Sequence, residues 1–343
     1  MSRVGPSAAI IIAIVLIAAI AFSALYGNGE FSLNGVLNPS SGLQLNTILA
    51  IAFILGIMHG ITPDEHTWPI TFSYAIGSYS TEKGMKAGLA FSTGFTLQRA
   101  FLTTLGFLGL ALVYKQYNLD GPVYMLVGLA MAIAGMYILR KKMYLHLPID
   151  VLFRGSEYHS KRAELLHTHE PPLKEIPLKL AVVHGLIAGF GFGAYSTIIT
   201  FILAPQVPGL IYAPLPGLFF GLGTMFMQII FGALFANLAR IKKISEQQVS
   251  LIGRRTAGRT LLYGGTAFSI IGLLIIFFPF IDKIAISTGN PIPNLDSIGI
   301  ATFLVLIVVG VIGLGSLALG FREMLDANKR AKSGPRPGPI RES

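Results

Sequence analysis

His59-Gly60-Ile61-Thr62-Pro63-Asp64-Glu65-His66 places two imidazoles and two carboxylates in eight consecutive residues, in the middle of an apolar run from Thr47 to Ser78. Imidazole and carboxylate are the groups that carry protons, balance cations and ligate divalent metals. Two more ionisable side chains stand in apolar surroundings, His184 in Val183-His184-Gly185-Leu186 and Arg99 in Leu97-Gln98-Arg99-Ala100. The chain has no cysteine, which excludes thiolate nucleophiles, cysteine-based zinc sites and iron–sulfur clusters. A plainer reading of the acids exists. Thr62-Pro63-Asp64-Glu65 has the order of a helix start, with Thr as N-cap, Pro at the first helical position and Glu closing a capping box. Capping explains two acids at a helix N-terminus but leaves the histidines without a purpose. Within a bilayer every ionisable side chain is costly, so the cluster reads as a binding site.

The elements that must hold these groups are membrane helices. Of 343 residues 53% are apolar and 12% charged, with a mean hydropathy of +0.67; soluble domains carry about twice that share of charge. Apolar segments lie near 8–26, 47–78, 87–113, 121–139, 178–204, 214–238, 260–281 and 297–320. The fold class is therefore all-α, a polytopic helical membrane protein of about eight transmembrane helices. All but three of the 26 basic residues fall at the N-terminus, in 79–86, in 140–179, in 239–259 or beyond Phe321. That asymmetry puts both termini in the cytoplasm, with the chain in the cell membrane, and accounts for the net charge of +10 without a nucleic-acid partner. The first segment follows a lone Arg3 and precedes Ser23-Ala24, as in a signal peptide, but its apolar run favours a retained helix. Outside the spans lie an external loop (27–46), a cytoplasmic loop (141–176) with His146, His159, His167 and His169 read as solvated, and a disordered tail (327–343).

The second segment is too long for one crossing. As a continuous helix, Thr47 to Ser78 would measure about 48 Å against a hydrocarbon core of about 30 Å, so it must tilt, overshoot or break. The glycine and proline between His59 and His66 make a break the expectation, one helix ending near Gly60 and the next starting at Pro63. His59 then lies about 18 Å from its helix start and His184 about 10 Å from a start near Pro177, two His-Gly pairs at similar depth. Gly88-Leu89-Ala90-Phe91, Gly94 and Gln98 are echoed by Gly217-Leu218-Phe219-Phe220, Gly223 and Gln228. The His-Gly pairs are 125 positions apart and the Gly-Leu pairs 129. These echoes point to an inverted 3+3 repeat within a single membrane domain: 1–46 as first helix and loop, 47–140 and 177–281 as the repeats, and 297–320 as the last helix. Arg99, deep in the third segment, reads as an ion-pair partner of Asp64 or Glu65 that holds the broken helix.

His59-x4-Asp64-Glu65-His66 is similar to the His-x4-Asp-His signature in the second transmembrane helix of nickel/cobalt permeases. His184-Gly185-Leu186-Ile187-Ala188-Gly189 resembles the fifth-helix motif of the related urease-accessory-type and efflux-type permeases. The chain differs in carrying Glu65 before the second His, and Gly191 to Thr197 where uptake permeases have acidic residues. The resemblance implies a transporter of a divalent transition metal, nickel or cobalt, with His59, Asp64, His66 and His184 on the metal and Glu65 and Arg99 in support. The metal is then substrate, with no cofactor and no enzymatic activity. The sequence has no GxxxxGK[ST] motif, so transport is secondary or needs a separate energising subunit. Two other readings remain open: an exporter of an anion or small organic solute that relies on Arg99, and an intramembrane metalloenzyme built on the His/Asp cluster.

Overall fold

The computed structural model describes residues 33–78, 80–140, 176–238 and 245–333. The first apolar segment, the loop with its four histidines and residues 334–343 lie outside them. A short α1 (Leu33–Leu37) precedes α2 (Leu45–Ile61), α3 (Trp68–Ile76), α4 (Thr81–Phe107), α5 (Leu112–Tyr117) and α6 (Asp120–Arg140). Next come α7 (Leu178–Ala188) and α8 (Ala194–Thr197), the latter running on through a π-helical stretch, Ile198–Leu203. The helices α9 (Leu215–Leu238) and α10 (Glu246–Phe277) follow. A small antiparallel ribbon pairs β1 (Ala285–Ser287) with β2 (Ser297–Gly299), Ile286 opposite Ile298. The described chain closes with α11 (Ile300–Val305), a π-helical stretch and α12 (Gly315–Ser333). Among the described residues four stretches are long and apolar enough to cross a membrane: Asp120–Leu139, Leu210–Leu238, Glu246–Phe277 and Ile300–Asp326.

Polarity is arranged as lipid requires. Leu97, Phe101, Leu129, Ile133, Ile270, Phe303 and Val311 face outward, while Thr71, Thr103, Thr200, Gln98, Gln228 and Arg99 are buried. With no water-driven collapse between helices in lipid, close backbone approach must supply the packing, and glycine supplies the approach. In the antiparallel pair α4 and α9, Gly88 sits on the carbonyl of Gln228 and Gly217 on that of Arg99. Where α2 crosses α9, Gly56 meets the Phe220 carbonyl and Gly223 that of Phe53; where α7 crosses α4, Gly185 meets Phe91 and Gly94 meets Val182. Along α6 and α10, Gly121, Gly128 and Gly135 face Gly272, Gly265 and Gly258.

The second apolar segment is broken, as its length requires, but the restart is at Trp68 and not at Pro63. Thr62 does not cap forward. Its Oγ1 donates back to the Met58 carbonyl at 2.9 Å, and the Trp68 amide closes a turn on the Asp64 carbonyl at 3.0 Å. The fifth segment is broken too, at Gly189 to Gly193. Two other elements extend beyond their apolar segments. α10 begins at a Ser245/Gln248 capping box well before residue 260, and its polar first turns carry Arg255, which lies 4.0 Å from Glu323 of α12. α12 runs to Ser333, so residues 327–333 of the expected tail are helical.

A side chain at a backbone-to-backbone crossing has nowhere to go. Gly56→Val and Gly223→Val are each expected to cost about 3 kcal/mol, the upper end of ordinary overpacking, because the obstructing atoms are main chain. Gly310→Ala, at a glycine with open space around its Cβ position, is the control. Thermal unfolding of the purified variants in detergent measures the difference, and equal midpoints for all three would refute close packing at this crossing.

Candidate functional site

The break between α2 and α3 is built by its own polar groups. The Asp64 carboxylate accepts the His66 backbone N–H at 3.0 Å, a local turn that only Asp or Asn forms well. Asp64 Oδ2 faces His59 Nδ1 at 3.8 Å. Glu65 turns away from the Thr62 backbone and accepts the Tyr124 hydroxyl of α6 at 2.9 Å, with His66 Nδ1 at 3.0 Å from the same carboxylate oxygen. The capping-box reading of Glu65 is thereby replaced: its carboxylate belongs to the cluster. From outside the break, Asn294 donates to Thr62 Oγ1 at 3.3 Å and Trp68 Nε1 to the Gly60 carbonyl at 3.4 Å. His59, Asp64, Glu65 and His66 are all buried.

The second break faces the first. A Cβ on Gly191 would overlap the His66 ring, so only glycine lets the α7–α8 turn come this close. Arg99 Nη2 donates to the Gly191 carbonyl at 2.9 Å, and the guanidinium lies over Phe95 at 4.6 Å and near Phe220 at 5.7 Å. His59 stacks on the same Phe95, with ring centroids 5.6 Å apart, and its other sides are closed by Tyr195 and Phe220. Among the described residues Arg99 has no carboxylate within ion-pair distance, so the expected salt bridge to Asp64 or Glu65 is not formed. A carbonyl and two aromatic faces hold it instead.

The sequence-derived residues thus divide. Asp64, Glu65 and His66 can each offer a ligand atom, all within 4.8 Å of one another, and His59 adjoins through Asp64. Two donors on opposite sides of one ion stand about 4.2 Å apart, so small side-chain rotations would close the group on a metal. His184 is outside it: its Nδ1 lies 2.8 Å from the Tyr74 hydroxyl on the second turn of α3 and 2.9 Å from the Leu180 carbonyl. The reason is one helical turn. Gly185 crosses α4 as Gly56 crosses α9, so His184 stands where Leu55 does, four residues short of His59. Four contributors were missed: Tyr124, Tyr195, Gln98 and Gly191. Only Gly191 carried a signal, the alternation Gly189-x-Gly191-x-Gly193.

Many polar atoms here have no hydrogen-bond partner: both ring nitrogens of His59, Nε2 of His66, Nε and Nη1 of Arg99 and both amide atoms of Gln98. Such groups are rare in folded proteins and concentrate where a ligand belongs. Beyond the helix ends Asp282 adds a further acid within electrostatic reach of Glu65, its carboxyl pushed above the usual carboxylate range by burial and then by the charges of Asp120 and Glu65.

Among the described residues Tyr124 is the hydroxyl donor that reaches Glu65 from another helix. Tyr124→Phe should cost about 2 kcal/mol, the usual loss for a hydrogen bond to a charged acceptor. Added to Glu65→Gln it should cost far less, and full additivity of the two in a double-mutant cycle of unfolding energies would show that the bond is not made.

No protein-family model, no curated protein and no solved structure matches the chain.

Proposed function

We propose that this is a transporter of a divalent transition-metal cation, nickel or cobalt, related to the nickel/cobalt permeases. The observation that carries it is the convergence of Asp64, Glu65 and His66 within 4.8 Å at a buried helix break, with His59 beside them. Imidazole and carboxylate without thiolate are the donors that Ni²⁺ and Co²⁺ favour. Two carboxylates and one guanidinium leave the site one negative charge when its imidazoles are neutral, so a divalent ion is attracted. Asp120 and Asp282 would draw the cation toward it.

The architecture we propose is eight crossings with an inverted 3+3 repeat and the substrate between two broken helices. Glycine contacts support it. Phe53, Gly56, Gly88, Phe91, Gly94 and Arg99 stand to Val182, Gly185, Gly217, Phe220, Gly223 and Gln228 at a constant separation of 129 positions, and the contacts of one set are exchanged in the other. Gly121, Gly128 and Gly135 stand likewise to Gly258, Gly265 and Gly272, at 137. A metalloenzyme reading has no such support. An anion exporter has one observation in its favour, the unpartnered Nε and Nη1 of Arg99.

Binding of Ni²⁺ to the purified protein separates these readings. A cation held by imidazole competes with protons, so affinity should fall at least tenfold between about pH 7.5 and about pH 5.5. Asp64→Asn and His59→Ala should weaken binding at the higher pH. An anion site reverses the order, with acidification strengthening binding and Asp64→Asn tolerated. No calorimetric signal for Ni²⁺ or Co²⁺ at either pH would refute the metal reading.

A further inference from the structure

Resting on that reading, we infer that the substrate is a metal–carboxylate chelate, with the metal on the Asp64/Glu65/His66 side and a chelator carboxylate on Arg99. With one ligand atom from each side chain the cluster gives four donors, His59 included, and Glu65 already shares a carboxylate oxygen with Tyr124. A nickel or cobalt ion with oxygen and nitrogen ligands takes about six, so two or more positions go to groups the protein does not supply. Water is a poor supply here, because His59 is enclosed by Phe95, Tyr195 and Phe220.

Beside the cluster the protein presents unpartnered donors, two on Arg99 and one on Gln98, against a single unpartnered acceptor, Gln98 Oε1. Arg99 is 2% exposed and Gln98 3%. Arg99 spends only Nη2, on the Gly191 carbonyl, which leaves Nε and Nη1 free, and the Gln98 amide is free at both ends. Gly191 also lies against the His66 ring, and Phe95 and Phe220 contact both His59 and Arg99. The guanidinium therefore shares its walls with the imidazoles. A buried guanidinium without a counter-anion is badly out of balance, and beside a bare divalent cation it would be repelled. A carboxylate that ligates the metal on one side and accepts from Arg99 on the other corrects both faults. The guanidinium fork is the side chain best matched to that group. No covalent bond is made or broken; the chelator keeps its metal, and protein donors replace the remaining waters.

Radiolabelled nickel and radiolabelled citrate test this on the full-length protein. With nickel and citrate supplied one to one, both labels should be retained on the protein in equal amount, and citrate without nickel should bind more than tenfold more weakly. Arg99→Gln should lower retention of the citrate label more than tenfold under the same one-to-one supply. Citrate that strips nickel from the wild type would overturn the chelate and leave the metal reading standing. So would acetate that serves as well as citrate, because the anion would then be a separate counter-ion. Absence of nickel binding under every condition would remove the metal reading itself. The wild-type double-label result is decisive even where Arg99→Gln fails to fold.

Discussion

A helix that stops inside an apolar layer leaves main-chain donors and acceptors with nothing to bond, and everything else in this protein follows from how that problem is solved between Ile61 and Trp68. Each orphan costs several kcal/mol in hydrocarbon, so the break persists only if local groups satisfy it. Here Asp64 does most of this with one side chain and one carbonyl, capping His66 and receiving Trp68. Thr62 and Trp68 then close the flanks against the Met58 and Gly60 carbonyls. The groups that make the break possible are also the ones that make it anionic. Structure and chemistry are thus not separable at Asp64, and Asp64→Asn, which keeps the hydrogen-bond acceptor but loses the charge, is the substitution that tells them apart.

Packing explains why the cluster is assembled rather than merely present. Helices touch backbone to backbone through glycine, and the two pairs that cross near the site, α2 on α9 and α7 on α4, aim both broken segments at one place. Without that proximity Gly191 could not lie on the His66 ring, and Arg99 would have no carbonyl to hold it. Rigid crossings on either side of irregular turns give a site that is firm in its walls and adaptable in its polar groups.

The helical class was legible in the sequence because lipid imposes long apolar runs, and the first break was legible because a 32-residue run exceeds the bilayer. His59, Asp64 and His66 were legible because ionisable groups inside such a run are too costly to persist without a task. The restart at Trp68 was not, since Thr62-Pro63-Asp64-Glu65 has the grammar of a cap and only tertiary partners, Tyr124 for Glu65 and Met58 for Thr62, divert it. His184 was misjudged through register: two His-Gly pairs look alike in sequence, whereas the crossings align Gly185 with Gly56. The glycines at every seventh position in α6 and α10 were visible and overlooked, a sign of close antiparallel packing that hydropathy does not register.

In the repeat proposed above, aligned at a separation of 129 positions, the two halves are chemically unequal. Asp64, Glu65, His66 and Arg99 stand opposite Gly193, Ala194, Tyr195 and Gln228. One half carries every charge of the site, and the other offers glycine backbone, an aromatic ring and a neutral amide. For the transporter proposed above, which would open alternately to two sides, this division has a physical merit. A charged cluster split between halves would have its Coulomb interactions broken at each opening, whereas here the carboxylates and imidazoles move as one body. At the site the halves are bridged by the Arg99–Gly191 hydrogen bond and the contact of Gly191 with His66, beside the packing of Tyr195 and Phe220 on His59. Both are replaceable by a bound ligand, so occupancy of the site and the closeness of its halves are energetically linked.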